Sequence, residues 1–132
     1  MKNIVVRLEE NKIDVAKLYN EFYTSVSDST GTILIHHGKA KYPGKYKPNY
    51  TKIKLTIIDD EALNKINEYA HKIFDRFDLN KLFVVHQVGV IEKNDTILFL
   101  AAEAKDRSSA FDAIRDILEF IKAETLIKLE EL

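Results

Sequence analysis

The hydrophobic positions of this chain change period several times along its length. Residues 3–8 (NIVVRL) are short and β-branched, which predicts a strand. From Val15 the apolar side chains Leu18, Tyr19, Phe22, Tyr23 and Val26 recur at helical spacing, so a helix with that stripe turned inward is expected. Ser27-Asp28-Ser29-Thr30-Gly31 breaks it. A second strand is predicted over 32–36, and a loop over 37–49 that carries both prolines follows. Residues 51–58 (TKIKLTII) alternate lysine with apolar side chains, as a half-buried strand does.

Asp59 is a credible cap for the next helix, whose inward stripe is Leu63, Ile66, Ala70, Ile73, Phe74 and Phe77. Residues 81–91 read as one strand, too apolar to be exposed on either face. Lys93-Asn94-Asp95 makes a hairpin turn, and 96–104 returns as the partner strand. Asp106 can cap a last helix with the stripe Phe111, Ile114, Leu118, Ile121 and Thr125. The order β-α-β-β-α-β-β-α predicts an α+β fold with a mixed, antiparallel-rich sheet, in one domain over 1–132. The first six elements match the ferredoxin-like arrangement, which hosts many functions and selects none.

Composition narrows the chemistry. With no cysteine in its 132 residues, the chain has no disulfide, no thiolate metal site and no cysteine nucleophile, and it cannot itself carry sulfur as a persulfide. The longest apolar runs, such as 98–102, fall far short of the roughly 20 residues a spanning helix needs, and a cytoplasmic location is expected. Net charge is −1, but Lys39, Lys41, Lys45, Lys47, Lys52 and Lys54 crowd a stretch with no acid. A local basic patch on an otherwise acidic chain fits a particular anion; a solvated lysine-rich loop fits equally well on charge alone.

His36 and His37 are adjacent and would point to opposite faces of a strand, so they are poorly placed to share a metal ion. Ser108 and Ser109 lack the G-x-S-x-G turn of a hydrolase nucleophile, and no glycine-rich phosphate loop is present. What remains is a set of cations at element ends. Lys39 and Lys41 follow a strand, Arg107 opens a helix where free amides favour an anion, and Lys122 borders that helix's apolar stripe.

Three stretches carry a family resemblance. His86-Gln87-Val88-Gly89 is followed by the hairpin and the apolar strand Ile97-Leu98-Phe99-Leu100-Ala101-Ala102. Then come Arg107-Ser108-Ser109-Ala110-Phe111-Asp112-Ala113, with Lys122 eleven residues beyond Phe111. Upstream, residues 31–41 (GTILIHHGKAK) share the layout G-x-V-V-x-F-x-G-x-V-R. In this order the motifs resemble the large, catalytic subunit of molybdopterin synthase, whose pattern runs H-R-[IV]-G, hairpin, apolar strand, H-R-x-x-A-F-x-A and a helix ending in lysine.

The resemblance implies an α/β hammerhead fold and a sulfurtransferase of molybdenum cofactor biosynthesis. Its substrate would be cyclic pyranopterin monophosphate, and sulfur would arrive as a thiocarboxylate on the tail of a small ubiquitin-like sulfur-carrier subunit. The assembly implied is a homodimer of this subunit within a heterotetramer, with no cofactor. Carried over residue by residue, Lys122 and Lys128 become the catalytic pair, and Lys39, Lys41, Asp106 and Arg107 the substrate-binding set. Fixed cations of this kind stabilise the negative charge that phosphate binding and acyl transfer build up.

Four positions depart from the pattern: His36 replaces phenylalanine, Lys41 replaces arginine, Asp106 replaces histidine, and residues 124–128 (ETLIK) replace P-x-W-K. If the last helix simply continued, Lys128 would stand about 9 Å along and roughly 240° around from Lys122. Two alternatives stay open. One is a non-catalytic relative that binds another phosphate-bearing ligand. The other is a small RNA-binding module that stacks bases on Tyr46 and Tyr50 within the lysine-rich loop.

Overall fold

The structure is a computed structural model that describes residues 2–132. Its elements are β1 (Ile4–Glu9), α1 (Val15–Tyr23), β2 (Thr32–Lys39), β3 (Ile53–Ile57), α2 (Ala62–Arg76), β4 (Lys81–Gln87), β5 (Gly89–Ile91), β6 (Thr96–Ala104), α3 (Arg107–Lys122) and β7 (Ile127–Glu131). A four-stranded sheet has the order β1-β4-β6-β2, and a three-stranded sheet the order β5-β3-β7. Among the described residues only the β1–β4 pair is parallel, which gives the mixed, antiparallel-rich α+β architecture expected from the sequence.

The ferredoxin-like arrangement is not adopted. It would keep β3 beside β1, whereas β6 takes the central place between β4 and β2 and β3 pairs in the second sheet. The reason lies in β4 and β6. Every residue of β4 is buried and β6 nearly so, and strands apolar on both faces must lie in the middle of a sheet. Leu82, Val84, Leu98, Leu100 and Ala102 belong to the core shared with α2 and α3. Phe83, Val85, Phe99 and Ala101 pack with Leu18 and Phe22 of α1 in a second, smaller core.

The run 81–91 is two strands rather than one. Gly89 has φ +92°, a conformation that costs an L side chain dearly, and there the chain leaves the large sheet for the small one. The last helix is also shorter than expected. Its inward residues are Ala110, Ala113, Ile114, Ile117 and Ile121, while Phe111, placed in the predicted stripe, is 55% exposed. Alanines at the contact let the helix lie close on the sheet. Likewise Leu63, Tyr19 and Tyr23 are exposed, the two tyrosines stacked on one another. Asp59 caps the turn before α2 by accepting from the Glu61 amide, and the helix itself begins at Ala62.

One buried ion pair fixes the segment between α1 and β2. Lys81 Nζ lies 2.9 Å from Glu103 Oε2, with both side chains almost wholly buried. The ammonium also donates to the Phe22 and Ser25 carbonyls, and Glu103 accepts from the Ser27 amide and the Thr30 hydroxyl. Among the described residues no helix is long and apolar enough to cross a membrane.

Candidate active site

Where the two sheets and the end of α3 meet, they enclose a cleft of about 440 Å³. That is within the usual range for small-molecule sites. Its floor is the inner face of the large sheet, with His36 and Gly38 from β2, Leu98 from β6 and His86 from β4. These residues share one face because alternate positions of a strand do, and because Leu98 is paired with both Gly38 and His86. One wall is the end of α3 with Ile121 and Lys122; the other is the small sheet with Ile53, Leu55, Ile127 and Leu129. Lys39, Lys41, Lys45 and Tyr46 form the rim.

Lys122 reaches this cleft because α3 stops there. Ala123 closes the helix with its amide on the Glu119 carbonyl, and Glu124 then adopts φ +55° and turns the chain. The Glu124 carboxylate accepts from the Leu129 amide at 2.8 Å, which leads the chain into β7. A register break between Gly38 and Lys39 ends the regular β2–β6 pairing. Lys39 there donates to Asn94 Oδ1 of the hairpin turn at 2.8 Å.

The basic loop is held by a carboxylate. Glu131 accepts from the backbone amides of Lys45, Tyr46 and Lys47 at 2.9, 2.6 and 2.6 Å. Those amides hold its carboxyl below the ordinary glutamate value. Gly44 permits the curl, since a Cβ there would lie 2.7 Å from Glu131 Oε1. Tyr50 is only 4% exposed and donates its hydroxyl to the Lys41 carbonyl, so of the two tyrosines named for base stacking only Tyr46 is offered to solvent, at 71%.

Of the residues singled out from sequence, Lys39, Lys41 and Lys122 come together in the cleft. Arg107 and Asp106 do not join them. They stand at the opposite end of α3, about 22 Å from Lys122 at the 1.5 Å rise per residue of a helix. Asp106 is the cap of α3, accepting from the Ser109 amide and hydroxyl at 2.8 and 3.0 Å. The Ser109 amide first, then its hydroxyl, keep the Asp106 carboxyl below its ordinary value. Lys128 lies on a strand, not a continued helix. It is paired with Thr56 and exposed, while its neighbours Ile127 and Leu129 face the cleft.

Six polar lining residues lie outside the catalytic and substrate-binding set that the resemblance implied: His36, His86, Lys45, Tyr46, Glu124 and Glu131. The alternation in Ile127-Lys128-Leu129-Glu130-Glu131 was the available signal for β7 and hence for Glu131. Burial holds the His86 imidazole below its usual value despite the hydrogen bond of its Nδ1 to the Gln87 carbonyl at 2.7 Å. Burial, then the charge of Lys122, then His37 do the same for His36.

The fold has counterparts among solved structures. The chain superposes on the complex of subunits 1 and 2 of molybdopterin-converting factor from Helicobacter pylori 26695 with a TM-score of 0.80 at 15% identity, covering 96% of this chain and 84% of that one. The molybdopterin synthase structure from Staphylococcus aureus gives 0.77 at 18% identity, covering 99% and 90%. In sequence, the chain is 24% identical over 131 residues to the molybdopterin synthase catalytic subunit of Pasteurella multocida (strain Pm70), across 94% of this chain and 81% of that protein. It is 36% identical over 98 residues to that of Salmonella typhimurium (strain LT2), across 74% of this chain but 52% of that protein, about half its length. The family described as "MoaE protein" matches residues 8–124. With the match running from β1 to the end of the cleft-forming helix, the chain belongs to the MoaE family.

Proposed function

We propose that this chain is the large subunit of a molybdopterin synthase, moving sulfur from the thiocarboxylate tail of a small subunit onto cyclic pyranopterin monophosphate. The observation that carries the reading is the meeting of Lys122, Lys39 and Lys41, from separate elements, in one cleft with an apolar wall. In a partly dry cleft a fixed ammonium stabilises developing negative charge far better than it would in water. Lys122, at the C-terminal end of α3, would polarise the reacting centre. Lys39 and Lys41 would hold the phosphate from the rim. The missing cysteine is consistent with sulfur brought by a partner.

Arg107 is the one guanidinium in the carried-over set, and within its own protomer it is a helix length from the chemistry. In the homodimer that belongs to this reading, Arg107 would serve the cleft of the other copy. The RNA-binding alternative loses support, because Tyr50 is enclosed and cannot stack on a base.

The test is direct. The purified chain, supplied with the thiocarboxylated small subunit and cyclic pyranopterin monophosphate, is expected to form molybdopterin. Lys122→Ala should lower the rate by a factor of about 10² to 10³, the usual cost of losing one charge-stabilising group. Absence of turnover by the unaltered chain would leave a binding relative without the enzymatic step.

A further inference from the structure

His36 stands in the cleft without a hydrogen-bond partner among the described residues, and this separates it from the neighbouring histidines. His37 is committed to the Thr96 hydroxyl at 2.8 Å and His86 to the Gln87 carbonyl at 2.7 Å. The His36 ring lies over the space that Gly38 leaves open, since a Cβ at Gly38 would lie 3.3 Å from His36 Nε2. Its ring nitrogens are thus available to a ligand. Lys39 and Lys41 reach the same cleft from the end of β2 and beyond it, Lys45 from the loop, and Lys122 from α3. The acids there are Glu124 and Glu131, and both carboxylates are already engaged by backbone amides. An anion entering the cleft therefore meets cations, while the imidazole beside them is a base that carries a charge only when something offsets theirs.

We propose that His36 is a ligand-contacting residue that takes up a proton when an oxyanion binds in the cleft. Burial, then the charge of Lys122, disfavour the imidazolium form of His36. A bound sulfate- or phosphate-like group reverses that balance: it neutralises the lysine field and accepts a hydrogen bond from the protonated ring. Binding and protonation are then linked, and each strengthens the other. The proton comes from solvent and returns to it on release. The inference rests on reading the cleft as an oxyanion site but not on turnover.

Sulfate is a suitable probe, since it does not itself titrate near neutral pH. The His36 ring signals are followed by NMR against pH with and without sodium sulfate, and sulfate affinity is measured in parallel. Without sulfate His36 is expected to titrate below the ordinary value of about 6.5, and with saturating sulfate above its ligand-free value. Affinity should rise at least about threefold from about pH 7.5 to about pH 5.5, and His36→Phe and His36→Gln should both abolish that rise. Lys122→Ala should move the ligand-free titration of His36 upward. An unmoved titration at saturating sulfate, a pH dependence kept in both variants, or no sulfate binding in the cleft would each overturn the proposal. A chain that behaved as expected here and made no molybdopterin would overturn the enzymatic reading alone.

Discussion

Lys81 and Glu103 form a charge pair that water does not reach, so neither partner tolerates losing the other. Burial by itself would raise the Glu103 carboxyl; hydrogen bonds from Lys81, Thr30 and the Ser27 amide outweigh it and hold the group below its ordinary value. Glu103→Ala strands an ammonium in the core, and the expected cost in urea unfolding is about 3–5 kcal/mol. The double change Lys81→Met with Glu103→Leu should recover most of that loss, because it removes both charges. The sign of the pH effect follows from the lowered carboxyls of Glu103, Asp106 and Glu131. Their contribution is fully present above the unfolded carboxylate range, about pH 4 to 4.5, and is lost as pH falls through their lower folded values. Acid unfolding followed by circular dichroism should therefore be less steep in Glu131→Gln than in the unaltered chain.

Between β2 and β3 the basic loop keeps its shape through Glu131, a residue of β7 distant from it in sequence. Glu131→Ala is expected to speed tryptic cleavage after Lys45 several-fold, because the Lys45, Tyr46 and Lys47 amides lose the acceptor that holds the loop. Global stability, read from the urea midpoint, should change much less. Gly89→Ala should cost about 1–2 kcal/mol through its positive φ alone, as nothing crowds its missing side chain. The same two places explain what the sequence did and did not disclose. Strongly periodic elements such as α2, and the lysine alternation of β3, were legible because one face of each is buried. The end of α3 was not. A helix stop is ordinarily written with glycine or proline, and here Glu124 takes the left-handed position unaided. Missing that turn concealed β7, and with it Glu131 and the true direction of Lys128. The break at Val88-Gly89 was hidden for a different reason, since both halves of the run are apolar and a single glycine carries the change of sheet.

For the molecule as a whole, the carried-over cations divide into two groups. Lys39, Lys41 and Lys122 were foreseeable as partners from their element ends. The separation of Arg107 from Lys122 follows from helix length and was equally present in the sequence, as fifteen residues of one helix. If the cleft is completed across a homodimer, Arg107→Ala and Lys122→Ala chains should each be inactive alone. Mixed and refolded together they should regain about a quarter of full activity, because half of a random mixture is hybrid dimer with one intact site in two. No recovery on mixing would place Arg107 outside the chemistry.

The passage of the chain at Gly89 from one sheet to the other has a further consequence for how the protein fails. The histidine-bearing floor belongs to a sheet whose central strands are sealed on both sides, whereas the opposite wall belongs to three short strands with an outer face in solvent. Warming should loosen the thin sheet first, and amide exchange in β3, β5 and β7 should run ahead of that in β4 and β6. Ligand capacity would then disappear at temperatures where most of the secondary structure still registers as native.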